Sequence, residues 1–271
     1  MGMVRPPAVA GLFYPGGSAA LAQAVDEYLA AARVPVLPNV RAVIAPHAGY
    51  IYSGPTAGYA FKSLQSGLAS GRTTVYLLGP SHRSWFQGIS TGDFDWRTPL
   101  GTVPMATEAV QALWALGARY RPMPEAHRDE HSLEVQLPFL LRVAPDLQLV
   151  PLLFGEVDPQ VVGLDLAAQL RDQQDARVVV SSDLSHFNEY DTARRMDQSF
   201  LQQVLEGQAA AVERAQYGAC GHTPIAALIK VAEELGWTPH LLDYRNSGDT
   251  AGDKMRVVGY AAVAYTETPR S

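Results

Sequence analysis

Four apolar runs, near Ala42–Ala45, Thr74–Leu78, Gln148–Phe154 and Arg177–Ser181, are rich in Val, Ile and Leu and are separated by longer stretches of helical period. Runs that stay apolar, instead of alternating with polar residues, are what strands buried on both faces look like. The pattern therefore predicts an α/β fold with a mainly parallel or mixed central sheet and helices on both faces. Helices are expected over Thr56–Gln65, Thr107–Leu116, Ser132–Val143, Pro159–Gln173, Thr192–Glu206, Ala209–Tyr217 and Pro224–Leu235. In the last, Ile225, Leu228, Ile229, Ala232 and Leu235 form one stripe. Late strands are expected at Pro239–Tyr244 and Val257–Tyr265, the latter central, and Gly88–Gly101 reads as a short strand followed by a hairpin. The closing "TETPRS" reads as a frayed tail.

No linker interrupts the pattern, so residues 1–271 are expected to form one domain, and 47% hydrophobic residues against 18% charged supply its core. A net charge of −6 with no run of Lys or Arg argues against nucleic acid or an anionic membrane as partner. No stretch has signal-peptide character or the roughly 20 apolar residues that span a bilayer. The single cysteine, Cys220, excludes an internal disulfide and fits a reducing cytoplasm.

Three of the runs end alike. "AVIAPH" closes on His47, "TVYLLGPSH" on His82 and "RVVVSSDLSH" on His186. In open α/β sheets the loops leaving the carboxyl ends of parallel strands gather on one edge, where ligands bind. Three imidazoles delivered there suit a transition metal, iron, copper or zinc, and disfavour calcium or magnesium. Any one of these histidines alone would read as a polar loop residue; the shared position argues otherwise. Asp183, three residues before His186, suits a ligand, an acceptor orienting an imidazole, a general base or a turn former. Cys220 precedes a well-patterned helix whose N-terminus would lower a thiol pKa, so it reads as a metal ligand, a reactive thiol or a small buried apolar residue. His222 reads as a cap for that helix.

"HRDEH" contains His127, Glu130 and His131 in the spacing of a zinc-peptidase motif, but that motif needs one continuous helix and the apolar period begins only at Leu133. His131 therefore reads as an acid, base or hydrogen-bond donor beside the metal. Gly49, Gly54 and Gly58 match no phosphate-loop spacing, so tight packing explains them better. There is no G-x-S-x-G nucleophile elbow.

"APHAGYIYSGPTAGYAF", "LGPSHR", "TPLGTVP", "DEHSLEVQLPFL", "SSDLSHF", "CGHTPIAAL" and "NSGDTAGD", in this order from about Val4 to Tyr265, resemble the Memo family, including bacterial members called AmmeMemoRadiSam system protein B. The resemblance implies a fold shared with LigB-like class III extradiol dioxygenases, and a pocket of His47, His82 and His186 with Asp183 and Cys220 beside them. It implies iron or copper, links eukaryotic relatives to redox signalling and cell motility, and suggests a radical-SAM pathway partner. The expected function is metal-linked oxidative or redox chemistry on a small molecule or peptide in the cleft. Catechol ring cleavage is a narrower alternative, which a third histidine and a thiol would crowd. A zinc hydrolase and a peptide- or protein-binding adaptor are further alternatives.

Overall fold

The protein is described by a computed structural model covering residues 3–68, 71–250 and 252–267. Its strands are β1 (Val4–Arg5), β2 (Val40–Ala45), β3 (Thr73–Pro80), β4 (Ile89–Ser90), β5 (Asp95–Thr98), β6 (Gly101–Val103), β7 (Tyr120–Arg121), β8 (Leu147–Phe154), β9 (Ala176–Ser181), β10 (His186–Asn188), β11 (Trp237–Asn246) and β12 (Val257–Glu267). Its α-helices are α1 (Ser18–Ala31), α2 (Tyr50–Ser66), α3 (Thr107–Trp114), α4 (Pro124–His127), α5 (Leu137–Val143), α6 (Pro159–Leu170), α7 (Tyr190–Leu205), α8 (Ala209–Arg214), α9 (His222–Leu235) and α10 (Ser247–Thr250).

The large sheet runs β10-β12-β2-β9-β3-β8-β4-β7, with β11 also paired to β12. Its heart is parallel: β2 pairs with β9, β9 with β3 and β3 with β8. β12 runs antiparallel to β2, so the sheet is mixed, and β12 is interior as expected. Alternate residues of the central strands enter two separate cores. Ile44, Tyr76, Leu78, Val178 and Val180 join the core under α6 and α9, whereas Val43, Val75, Leu77 and Val179 join the core under α1, α2 and α5. Both faces are thus covered, which is why the strands read as unbroken apolar runs.

Several boundaries differ from the sequence expectation. α2 starts at Tyr50, with Gly54 and Pro55 inside it. A Cβ on Gly54 would lie 2.5 Å from the Tyr28 ring, and one on Gly58 would lie 2.5 Å from the Tyr28 carbonyl oxygen. These glycines therefore let α1 and α2 pack closely, not bind phosphate. The expected helix from Ser132 begins later: Glu134–Gln136 is a 3-10 turn leading into α5. The 88–101 region holds β4 and the antiparallel β5–β6 hairpin, and β1 joins β5 in a small separate sheet. Thr266 and Glu267, assigned to the tail, extend β12, while 268–271 lie outside the described residues. Among the described residues no helix is long and apolar enough to cross a membrane.

Candidate metal centre

β9 lies between β2 and β3, so the loops following these three neighbours leave the sheet side by side. His47 and His82 come two residues after β2 and β3 end, and Asp183 two residues after β9. The ring centroids of His47 and His82 are 5.1 Å apart, and His131 joins them at 5.3 Å from His47 and 4.7 Å from His82. The loops after these parallel strands thus bring His47, His82 and Asp183 to one edge of the sheet, while His131 reaches it from the segment after α4.

Cys220 arrives from the turn before α9. Its sulfur lies 3.3 Å from His47 Nε2 and 3.3 Å from the Asp183 backbone nitrogen. Gly221 makes this approach feasible, because a Cβ there would meet the Ser182 side chain at 2.6 Å. Two ligands about 2.0 and 2.3 Å from a tetrahedral ion would be separated by roughly 3.5 Å, so the observed nitrogen–sulfur spacing suits a shared metal.

The second nitrogen of each strand-end histidine is occupied. Ser181 Oγ donates its one proton to the Ser132 carbonyl at 2.5 Å and accepts from Gln136 Nε2 at 2.8 Å, so His47 Nδ1, also 2.8 Å away, must be its other donor. His82 Nδ1 is 3.0 Å from Glu130 Oε1, and His186 Nδ1 is 2.8 Å from the Leu184 carbonyl oxygen. Each Nδ1 therefore carries the hydrogen, and each Nε2 lone pair is left to face a ligand. A carboxylate, carbonyl or hydroxyl fixing the far nitrogen is the usual support of a metal-binding imidazole.

Among the described residues, two groups have ligand atoms within 4.8 Å of one another: His47, His82 and Cys220, and His82, Glu130 and His131. His186 belongs to neither group, but its exposed ring lines the same cavity as His47, His82, His131 and Asp183. That cavity holds about 670 Å³, the size of a small-molecule site. Asp183 Oδ1 accepts the backbone N–H groups of His47 (2.8 Å) and Ala48 (3.3 Å), while Oδ2 lies 4.0 Å from His47 Nε2. It fixes the His47 loop.

Electrostatics follow from burial. Removal from water pushes His47 well below its ordinary value, and the neighbouring His82 and His131 push the same way, so it is neutral and able to ligate. Burial raises the Asp183 carboxyl against the pull of the His47 amide. Of the readings open for the thiol, a lowered pKa is not the one seen without metal: burial and the Asp183 carboxylate push Cys220 up to about 12, outweighing any influence of the α9 N-terminus. His222 is the first residue of α9 and makes no capping bond.

Glu130 is the residue the sequence did not single out for this place. Its Oε1 accepts from His82 Nδ1, the His131 amide (2.8 Å) and the Ser132 amide (3.0 Å), and its Oε2 from the His82 amide (2.5 Å). His131 Nδ1 is 3.2 Å from the same Oε1 but is not aligned for a hydrogen bond. Burial alone would raise this carboxyl; the His131 and His82 rings and the Ser132 amide more than offset it and hold the group ionised. The one available signal was an acid between two histidines. His127 ends α4 and turns away, its Nε2 2.9 Å from Ser90 Oγ and its ring against Phe94 and Trp96, so the zinc-peptidase spacing does not form a site.

Residues 5–264 match the family model described as Memo-like protein. The chain is 35% identical to a MEMO1 family protein of Aeropyrum pernix, an alignment covering 96% of this chain and 99% of that one. It is also 35% identical to one from Methanocaldococcus jannaschii, covering 97% and 99%. A crystal structure of an uncharacterized protein from Escherichia coli K12 is similar with a TM-score of 0.52 at 13% identity, over 83% of this chain and 99% of that one, which speaks for the fold alone.

Proposed function

The chain belongs to the Memo family, and from that premise we propose that it is an iron- or copper-binding protein whose cleft supports oxidative or redox chemistry on a small molecule or peptide. The observation that carries this is the donor set: two imidazoles with fixed Nδ1 hydrogens and a thiol, all with ligand atoms within 4.8 Å. Imidazole and thiolate together select redox-active or soft ions over magnesium or calcium, with zinc a further fit. Bound there, iron or copper would supply electron-transfer chemistry.

The protein's own residues do the remaining work. Glu130 and Ser181 orient His82 and His47, and Asp183 pins the His47 loop through its backbone amides. His186 presents a free Nε2 to the cavity, where it serves as an additional ligand or meets the bound molecule. His131, packed between Phe13 and the two ligand rings, lines the cavity and serves there as an acid, base or hydrogen-bond donor to the bound molecule. Extradiol-type ring cleavage is the narrower form of this reading.

The test is metal analysis of protein purified without a histidine tag, beside His47→Ala, His82→Ala and Cys220→Ala combined. Retention of iron or copper by the triple variant at the wild-type level would refute the assignment. Oxygen uptake with a panel of catechols after anaerobic Fe(II) loading tests ring cleavage, and silence across the panel removes it. Capture of a partner protein that survives both chelation and His47→Ala would favour an adaptor.

A further inference from the structure

The cavity in front of the metal ligands has a charged rim and aromatic walls that the redox reading does not use. Arg83 directly follows His82, and Arg256 stands just before β12; both line the cavity. Among the described residues neither guanidinium has an ion-pair partner, which leaves both able to meet an anion in the cavity. Arg256 instead lies over the Phe187 ring, 5.0 Å from its centroid. Phe187 is 61% exposed at φ 61°, a left-handed conformation that bulky L residues avoid. That backbone places an aromatic face at the cavity, beside His186, where burial gives no reason for it.

We propose that the cavity binds an aromatic monocarboxylate, its anion held by Arg83 and Arg256 and its ring resting between Phe187, Tyr52 and Phe13. Tyr52 and Phe13 line the same cavity on the side of α2. α2 is 17 residues long and begins there without a side-chain cap, so its N-terminus adds positive potential. The charge count favours a monoanion. Of the acids lining the cavity, Asp183 is buried and turned to the His47 and Ala48 amides. Asp253 remains at the rim, so two guanidiniums face two carboxylates and the lining offers no excess of positive charge for a dianion. A guanidinium also matches the two oxygens of a carboxylate geometrically.

This inference names the ligand class of the reading above, and its test separates the two. Titration calorimetry on the full chain, as isolated and after chelation, would compare benzoate with benzyl alcohol, acetate and phenyl phosphate. Benzoate is expected to bind in both preparations, at least tenfold tighter than benzyl alcohol or acetate. Arg83→Gln and Arg256→Gln should each weaken it at least fivefold. Phe187→Asn, which tolerates the left-handed backbone but removes the ring, should weaken benzoate as well. Equal binding of benzyl alcohol, no effect of either arginine substitution, or tighter binding of phenyl phosphate would overturn the assignment. A chain isolated without iron or copper that still binds benzoate would refute the metal reading alone; a chain isolated with its metal that fails to bind benzoate would refute this one alone.

Discussion

Replacing Glu130 by Gln separates a supporting role at the metal from a merely structural one. The carboxylate is 2% exposed, with His82 Nδ1, the His131 amide and the Ser132 amide on one oxygen and the His82 amide on the other. Glutamine keeps only one acceptor. If its oxygen takes the crowded side, its NH₂ faces the His82 N–H, donor against donor and out of reach of water. An orphaned buried donor costs about 1–3 kcal/mol, so metal-free Glu130→Gln should unfold at lower urea by that amount. The effect at the metal is distinct. Without a charged acceptor the hydrogen bond that fixes the His82 tautomer is weakened, and loss of such a partner lowers metal affinity about 10–100-fold, or roughly 1.4–2.7 kcal/mol, at most. Chelator competition measures the second quantity and urea unfolding of the apo-protein the first. A variant destabilised as expected that still binds iron and copper with wild-type affinity would refute the tautomer argument.

Acid should weaken the fold partly through His127, whose burial and the nearby Arg5 lower it to about 3. The unfolded chain takes up that proton near pH 6.5 and the native one does not, so stability falls with pH between those values by about 1.4 kcal/mol per unit for this one group. His127→Gln should flatten the slope of unfolding free energy against pH by that amount, and an unchanged slope would show that another group is responsible. In metal-free protein Cys220, held near 12, should react with iodoacetamide at pH 8 more than a hundredfold more slowly than an exposed cysteine, since only about one thiol in 10⁴ is ionised; alkylation at the ordinary rate would contradict the raised thiol. Gly259→Ala would drive a Cβ into Asp197 Oδ2, part of a carboxylate held by the Ser185 amide and Tyr244. Overpacking of this kind costs about 1–3 kcal/mol, and thermal unfolding at the wild-type temperature would mean that Asp197 moves freely.

The parallel heart of the sheet was legible because strands covered on both faces leave an unbroken apolar imprint, and the strand-end position of His47 and His82 followed from it. α1 left no such imprint. Only Leu21 and Val25 are fully buried in its alanine-rich run, and no side chain caps it. The early start of α2 was masked by Gly54 and Pro55, which punctuate a sequence locally although here the glycine answers to Tyr28 on another helix. Glu130, Ser181 and Gln136 owe their roles to partners far away in the chain, so no local pattern marks them. For Cys220 the helix end is visible in sequence, whereas the Asp183 carboxylate that helps to push the thiol up is brought there by the fold.

Because β9 wedges between β2 and β3, the slot that these two strands frame stays open during synthesis until residue 181 has emerged, and the sulfur follows only at residue 220. A ribosome-bound fragment ending before Ala176 owns both histidines, yet nothing holds them at a common distance. An ion held by this constellation would accordingly have to wait for insertion of a central strand, yet it would not have to wait for β11 and β12, which follow Cys220 in the chain.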